Sequence, residues 1–449
     1  MKHVVVIGGG FAGLAAAVDL AQRGVQVTVL EGRGRLGGRA FSFTDRPSGA
    51  VVDNGQHAMM GCYTHTFDFL DTIGATNKLV RQDNLRVEMR HARYGAGAIA
   101  CSTLPGPLHM LSAIFGYELL TRGERVRAAL GGARLMAMRQ RRDPRLAEWT
   151  VAELLAALGQ SPNACASFWY PLALATLNET PERAVAAPLA EVLARAFFGT
   201  RRDSQFVLAR VGLSDLYTED ARRFIEARHG TIVLNAAVAG VAATADGRLV
   251  VHVRDGRQLD ADACVSAVPP RVLATILPDA LREHPTYRAL DQFGSSPIIS
   301  THLWFDRPVL DAAFVGLVGT TTHWLFNRTL ITGEGNHGGQ YLSAVISAGH
   351  DLVDADPDDI ARRVVDDTRQ LLPAARGAQV LRSVVVKEKH ATISATPAVE
   401  RLRPPTHTPL DRFFLAGDWT QTGLPPVIEG AVASGHEAAA AVATRLESA

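Results

Sequence analysis

The N-terminus constrains the fold most, because an apolar run there ends in a glycine turn. Residues 4–7 read as a buried parallel strand, Gly8, Gly10 and Gly13 follow with GxGxxG spacing, and residues 14–22 read as a helix. In such a unit the free N–H groups at the helix N-terminus face an anion. The pattern predicts an α/β fold with a parallel sheet and a pyrophosphate site.

An acidic residue completes the fingerprint at the end of the second predicted strand. Glu31 follows residues 27–30 and lies about twenty residues beyond the turn, where a carboxylate accepts both ribose hydroxyls and repels a 2′-phosphate. If the turn merely packed a helix on a strand, Glu31 would be a coincidence. A second glycine-rich stretch, residues 95–100, has no helical period after it, and we expect a hairpin turn there. The N-terminal copy therefore predicts a bound dinucleotide.

The residues after Glu31 favour FAD over NAD. Three arginines and further glycines occur between Gly32 and Arg39, where an NAD domain would continue into further βαβ units. We expect Arg39 to clamp the pyrophosphate opposite the helix, since guanidinium suits phosphate oxygens. Arg33 either contacts the cofactor or belongs to a solvated basic loop.

The C-terminal segment is predicted to supply the other half of the site. A strand at residues 413–416 ends in Gly417 and Asp418, and a helix over residues 428–446 begins just after two prolines. In a flavoprotein the positive end of that helix belongs beside the N1–C2=O edge of the isoalloxazine, while Asp418 bonds a ribitol or phosphate-side hydroxyl. The alternative for Asp418 is an ordinary helix N-cap.

Composition restricts the remaining possibilities. A chain of 449 residues with 47% hydrophobic content is expected to form two domains, and a net charge of +1 gives no reason to expect nucleic acid. The four cysteines lack CxxC spacing, which predicts neither a metal site nor a disulfide framework. With no secretory leader visible, we expect a cytoplasmic protein.

Residues 104–142 combine bulky apolar side chains with many arginines. Such a segment could lie on an anionic leaflet and admit an oily substrate, so we expect peripheral contact with the inner face of a membrane. The alternative is a pair of ordinary helices with a solvated arginine face. No apolar stretch is long enough to span a bilayer.

Several motifs together resemble a known family. The glycine turn, Glu31, Leu36-Gly37-Gly38-Arg39 and Ala416-Gly417-Asp418-Trp419-Thr420 resemble the amine oxidase and phytoene desaturase superfamily of FAD flavoproteins. Within it, the segments at 53–57, 177–179, 304–308 and 324–328 are similar to the squalene-associated branch, the hydroxysqualene dehydroxylases. The resemblance extends over nearly the whole chain.

The resemblance implies a Rossmann-like FAD-binding domain interleaved with an α+β substrate domain, as in the amine oxidases. The FAD-binding domain would comprise residues 1–80, 215–285 and 405–449, and the substrate domain residues 81–214 and 286–404. From the turn and the resemblance together, the residues expected to contact FAD are Gly8, Gly10, Phe11, Ala12, Gly13, Glu31, Arg33, Gly38, Arg39, Asn54, Gly55, Gln56, Val238, Gly417, Asp418, Val427 and Ile428. Because no cysteine follows Cys264, covalent attachment near the final helix is excluded.

The implied reaction is reductive loss of an allylic hydroxyl from hydroxysqualene, with hydride from flavin N5 and a general acid to protonate the departing oxygen. His57 is the first candidate for the acid and Glu179 the second. Alternatively, His57 bonds the cofactor or a loop carbonyl, and Glu179 caps a helix. We expect the hydrocarbon tunnel to be lined by Trp304, Phe305, Trp324 and Phe326, although all four could be plain core.

Two other functions remain open at this stage. One is a desaturase or oxidase of the same fold that acts on a carotenoid precursor or an amine, and the other is a non-enzymatic, flavin-bearing partner of prenyl-synthesising enzymes. Association with squalene-forming or hydroxysqualene-forming enzymes is a further expectation. No second nucleotide fingerprint is found, so reduction of the flavin is expected from weakly bound NADPH or from a separate reductase.

Overall fold

A parallel five-stranded sheet is built around the N-terminal strand. The computed structural model describes residues 2–333 and 339–448. The strand order in this sheet is Thr231–Val233, Gln26–Leu30, His3–Ile7, Ala263–Ser266 and Phe413–Leu415. All four pairings are parallel, and the outer strands come from distant parts of the chain.

Both faces of this sheet are covered, which explains the continuous apolar run of its first strand. Val4 and Val6 belong to a core shared with three helices, Phe11–Gln22, Leu213–Glu226 and Ile428–Glu447. Val5 and Ile7 point the other way, into a core beneath an antiparallel meander. The meander strands are Val238–Ala243, Leu249–Val253 and Gln258–Ala261.

A second sheet has seven strands, and the segments that form it alternate along the chain with those of the parallel sheet. Its order is Val380–Ile393, Ser295–Phe305, Gln340–Ser347, Trp324–Asn327, Phe314–Val318, Arg86–His91 and Gly95–Ala100. Among the described strands of this sheet, only Phe314–Val318 and Arg86–His91 pair in parallel, and the other pairings are antiparallel. Smaller sheets join Ser42–Thr44 to Val51–Asp53, and Ala58–Met60 and Leu79–Arg81 to Phe206–Ala209.

Helices pack on one side of the seven-stranded sheet and share its core. The α-helices in this region are Leu108–Gly116, Arg122–Gln140, Arg145–Glu148, Val151–Ala157, Pro162–Ala164, Tyr170–Leu177 and Ala186–Val192, with π-helical turns at Cys165–Trp169 and Leu193–Phe197. Elsewhere the α-helices are Thr64–Thr72, Pro270–Ile276, Asp279–Arg282, Pro285–Arg288, Arg328–Thr332, Pro357–Leu371 and Pro397–Leu402. Short 3₁₀ turns occupy Thr76–Lys78, Ala289–Gln292 and Pro373–Ala375.

The predicted α/β class is confirmed, but one local prediction is wrong. Gly95–Ala100 is not the hairpin turn; it is the return strand, and the turn lies at residues 92–94. Gly97 serves packing, since a Cβ on it would come within 3.0 Å of the Leu119 side chain. The division into two domains at the stated boundaries stays a prediction. Within the described residues, no helix combines the length and the apolar character needed to cross a bilayer.

Candidate active site

One cavity of about 780 Å³ extends from the glycine turn into the space between the helices and the seven-stranded sheet. Its polar half is lined by Gly8, Gly9, Gly10, Phe11, Ala12, Glu31, Arg33, Gly38, Arg39, Val238, Gly417, Asp418, Val427 and Ile428. Its apolar half is lined by side chains that include Met60, Leu85, Val87, Met89, Phe168, Trp169, Phe206, Phe314, Trp324 and Phe326. Asn54, Gly55, Gln56 and His57 also line it. The structure therefore brings most of the predicted cofactor residues to one cavity.

The glycine turn shapes the polar half through close backbone approach. Gly8 has a φ of +108°, and Gly10 lies against Gly38, where a Cβ on Gly38 would come within 3.1 Å of the Gly10 Cα. Gly13 does not line the cavity. A Cβ there would lie 1.9 Å from the Gly8 carbonyl oxygen, so Gly13 lets the helix pack beneath the turn and acts behind the site.

Two helices begin at the cavity with no side-chain cap. The helix Phe11–Gln22 starts after Gly10, and the helix Ile428–Glu447 starts after Val427. Unsatisfied N–H groups at a helix N-terminus carry partial positive charge and bind anions. Both starts line the cavity, so each presents a partial positive charge to it, and their roles toward a pyrophosphate and a flavin ring stay predictions.

The acidic residue in the first turn of the final helix does not compete for those N–H groups. Glu429 is buried, and its carboxylate accepts the backbone N–H groups of His65 and Thr66 at 3.0 and 2.9 Å. It thereby stabilises the start of a second helix, Thr64–Thr72. Sequence reasoning missed this role, because its partner is more than 360 positions away.

Glu31 is held in place by the backbone and remains directed at the cavity. Its two carboxylate oxygens accept the N–H groups of Gly9 at 2.8 Å and Arg33 at 2.9 Å. A carboxylate has about four acceptor positions, so two remain for ribose hydroxyls. The Arg33 guanidinium donates to the Gly38 carbonyl at 3.1 Å, which ties the basic loop to the turn.

Arg39 and Asp418 meet across the polar half. The Arg39 Nη2 lies 2.6 Å from the Asp418 Oδ1, and Arg39 also donates to the Ala391 carbonyl at 3.1 Å. The alternative for Asp418, a cap on the final helix, is wrong, since that helix begins after Val427 with no side-chain cap. The pair places a cation and an anion together where the cofactor's phosphates and polyol would lie.

Asn54, Gly55, Gln56 and His57 follow the strand Val51–Asp53 and form a segment that we call the central loop. The His57 Nδ1 lies 2.8 Å from the Gly55 carbonyl oxygen. A carbonyl only accepts, so Nδ1 carries the hydrogen, and the neutral ring presents a bare Nε2. Burial lowers the pKa of His57 despite this bond, which favours that neutral form. The acid role of His57 stays a prediction, and this geometry opposes it.

Glu179 is fully buried but does not line the cavity. Its carboxylate accepts from the Thr180 N–H at 2.9 Å and from Ser394, and lies 3.0 Å from the His350 Nε2. These contacts join the end of the helix Tyr170–Leu177 to the seven-stranded sheet. The prediction that Glu179 is the second candidate acid is therefore corrected, because the residue has a structural role outside the cavity.

Two of the four predicted tunnel residues line the cavity and two do not. Trp324 and Phe326 face the apolar half. Trp304 stacks on Tyr341 at 4.6 Å, outside the cavity, and Phe305 lies in a separate core with Val315 and neighbouring strands. Trp304 and Phe305 are thus core residues, because they are the last two residues of the strand Ser295–Phe305 and lie beyond the cavity.

The chain as a whole matches the family model described as flavin containing amine oxidoreductase over residues 11–443. Hydroxysqualene dehydroxylases from Sinorhizobium fredii and Rhodopseudomonas palustris are 30% and 31% identical to it, each over 98% of this chain and 97% of the relative. A 15-cis-phytoene desaturase from Synechococcus elongatus is 24% identical over 99% of this chain and 96% of the relative.

Solved structures support the fold. The structure of cyclohexylamine oxidase from Brevibacterium oxydans aligns with a TM-score of 0.71 over 99% of both chains, at 17% sequence identity. This similarity confirms the predicted amine-oxidase-like architecture, with a Rossmann-like half and a mixed-sheet half.

Proposed function

The chain belongs to the flavin-containing amine oxidoreductase family, and we propose that within it the protein removes the allylic hydroxyl of hydroxysqualene to form squalene. It is an FAD-dependent oxidoreductase. The observation that carries the proposal is the cavity itself, in which a polar half suited to a dinucleotide continues into a chamber lined by aromatic and aliphatic side chains. A substrate with a long hydrocarbon body and one oxygen fits that division.

The residues of the polar half would hold FAD without a covalent bond. The two uncapped helix starts suit its pyrophosphate and its ring, and Glu31 suits its ribose. When bound and reduced, the flavin supplies the hydride that replaces the hydroxyl. One hydroxysqualene, one hydride and one proton give one squalene and one water, so the atoms and charges of the reaction balance.

The apolar half would bind the isoprenoid body. Burial of each methylene contributes about 0.8 kcal/mol, so a chamber lined by Phe168, Phe314, Trp324 and Phe326 strongly favours a polyprenoid over a small amine. The departing oxygen needs a proton to leave as water. His57 can deliver it only after becoming protonated itself, because Gly55 holds the Nδ1 hydrogen.

We also propose that the protein works at the inner face of a membrane. Leu104, Leu108, Leu111, Phe115, Leu130 and Phe198 are large apolar side chains between 40% and 52% exposed. Three of them, Leu108, Leu111 and Phe198, also line the cavity, so an oily ligand could pass from a bilayer into it. The exposed Arg122, Arg127 and Arg134 on the adjacent helix suit anionic headgroups.

Vesicle sedimentation tests the membrane proposal. Leu104→Glu and Phe115→Glu should reduce binding to anionic vesicles several-fold, while Leu381→Glu, which changes a 62% exposed leucine on the far strand Val380–Ile393, should not. Equal binding by all three variants would contradict the proposal. Association with squalene-forming enzymes, and reduction of the flavin by NADPH or by a separate reductase, are further parts of the proposal that this experiment does not address.

The second candidate function is a desaturase of a carotenoid precursor, favoured by the similarity to a phytoene desaturase. We do not propose the third function, a flavin-bearing partner without enzymatic activity, because the family consists of oxidoreductases.

Redox titration under anaerobic conditions separates the two enzymes. Dithionite-reduced protein mixed with hydroxysqualene should regain the oxidised flavin spectrum and yield squalene in a one-to-one ratio. Bleaching of the oxidised flavin by phytoene, with no response of the reduced protein to hydroxysqualene, would overturn the dehydroxylase and support the desaturase.

A further inference from the structure

A buried arginine lies directly behind the central loop. Arg328 is 2% exposed and opens the short helix Arg328–Thr332 after the strand Trp324–Asn327. Its Nη1 donates to the Gln56 Oε1 at 2.9 Å, and its Nη2 lies 3.4 Å from the Asp53 Oδ2. An arginine remains charged in a protein interior, so these partners stabilise a cation that burial alone would disfavour.

Within the part of the chain that the structure describes, the carboxylate that pairs with Arg328 is that of Asp53, and it also binds other groups. The other oxygen of Asp53, which is 3% exposed, accepts the Ser42 hydroxyl at 2.8 Å and the Leu213 N–H at 2.9 Å. Asp53 is thus fixed between the parallel-sheet half and Arg328. The shorter contact of the guanidinium is the one to Gln56.

Arg328 determines which way the Gln56 amide points. Guanidinium has five donors and no acceptor, so only the oxygen of the amide can face it. The Nε2 of Gln56 must then point away, and it lies 3.3 Å from the His57 carbonyl. Nε2 carries two hydrogens, and Gln56 lines the cavity, so one N–H is available to a ligand there.

The neighbouring His57 presents a hydrogen-bond acceptor where Gln56 presents a donor. The neutral His57 ring donates from Nδ1 to Gly55 and presents an acceptor at Nε2. The central loop therefore holds a donor on Gln56 beside an acceptor on His57. An alcohol both accepts and donates one hydrogen bond, and this pair is complementary to it.

We propose that the Gln56 amide donates a hydrogen bond to the hydroxyl oxygen of the substrate, and that Arg328 is the positioning residue that orients it. This inference rests on the proposed function. A bond to the oxygen stabilises the charge that develops there as the carbon–oxygen bond breaks, and the Gln56 hydrogen stays on its nitrogen. The proton that converts the departing oxygen to water comes from another group, which would be His57 once its ring is protonated. The same donor would let the site distinguish hydroxysqualene from squalene, its product.

Binding of non-reacting ligands to the oxidised holoprotein tests the donor. The methyl ether of hydroxysqualene can only accept a hydrogen bond, so the ratio of its Kd to that of squalene reports on a protein donor. Titrations in detergent micelles, followed by the flavin spectrum, should show the ether bound about fivefold more tightly by the unaltered protein. Gln56→Glu keeps a partner for Arg328 but has no N–H, and should abolish or invert that preference.

Three further variants and one control make the result specific. Gln56→Met should also abolish the preference, and it replaces Gln56→Glu if that variant fails to retain flavin. Arg328→Met frees the amide to turn and should lower the preference with little change in squalene affinity, whereas Arg328→Lys, which still donates to the amide oxygen, should restore it. Gln26→Glu, an exposed strand residue with the same charge change, is the control.

The outcomes separate this inference from the function on which it rests. If the unaltered protein converts hydroxysqualene but Gln56→Glu retains the ether preference, the donor assignment is overturned and the function stands. If Arg328→Met lowers the affinities for both ligands equally, Arg328 has a structural role only. If the unaltered protein does not convert hydroxysqualene at all, the proposed function itself fails.

Discussion

Arg39 and Asp418 form an ion pair with 2.6 Å between Nη2 and Oδ1, although 379 positions separate them in the sequence. The pair lies in the polar half of the cavity and connects the loop after the second strand to the turn before the final helix. The two ends of the chain thus meet at one place, where the cofactor would lie.

Asp418→Asn should weaken FAD binding about tenfold or more, because the variant loses a charged acceptor whose side chain is 5% exposed and leaves Arg39 without its counterion. The measurement is the flavin Kd from titration of the apoprotein. Asp45→Asn is the matched control. Its pair with Arg382 has similar exposure, 8% and 33%, but lies outside the cavity. Equal losses in both variants would contradict a cofactor role for Asp418.

Gly13→Ala should prevent formation of the glycine turn. The added Cβ would lie 1.9 Å from the Gly8 carbonyl oxygen, which is rigid backbone, and 3.3 Å from the Ala267 Cβ. We expect little folded protein and no bound flavin, measured by the ratio of flavin to protein absorbance. Gly240→Ala, in the strand Val238–Ala243, where the new Cβ would meet open space, should retain full flavin. A yellow, stable Gly13→Ala protein would refute the packing role.

Trp324→Leu should raise the Kd for a polyprenoid roughly tenfold, because the indole contributes apolar area to the cavity. Trp304→Leu should leave that Kd unchanged and lower the free energy of unfolding by about 2 kcal/mol, since Trp304 packs on Tyr341 in the core. Ligand titration and denaturant unfolding of both variants separate the two roles. A binding defect in Trp304→Leu alone would reverse the assignment.

His436 and Asp19 should make stability depend on pH. Burial opposes charge on His436, but the Asp19 carboxylate at 2.7 Å outweighs it and raises the pKa of His436. A pKa raised on folding stabilises the protein fully below the unfolded value of about 6.5, and the contribution disappears as pH rises through the folded pKa.

His436→Gln should therefore lower the free energy of unfolding by about 1 kcal/mol or less at pH 5.5, and by a smaller amount at pH 9. Chemical denaturation at the two values measures the difference. His252→Gln, on the meander at the opposite face of the sheet, is the control. A loss that grows with pH would contradict the assignment.

The polar half of the cavity could be predicted from the sequence because the patterns that specify it are local. The strand, glycine turn and helix between residues 3 and 22, with Glu31 at the end of the next strand, depend on contacts between close neighbours and on backbone conformations that only glycine adopts freely. Asp418 and the final helix could be recognised for the same reason.

The apolar half of the cavity could not be predicted in the same way. Trp304 and Trp324 both occupy strands of one sheet, and alternation along a strand separates its two faces without indicating which part of either face meets a cavity. That depends on the helices packed against the sheet. Likewise, Glu179 was predicted to face the substrate, but Ser394 and His350 come from remote segments and enclose its carboxylate.

The amino-acid sequence by itself determined that this chain builds a Rossmann-like dinucleotide site from both of its ends, because steric and hydrogen-bonding rules of single turns and helix starts are sufficient for that. Only the tertiary structure decided which side chains share the cavity, that the His57 ring presents an acceptor, and that Arg328 orients Gln56. The lining of the cavity and the contact of Arg328 with Gln56 depend on residues far apart in the sequence. The acceptor on His57 depends on the conformation of the central loop, which the sequence pattern does not specify.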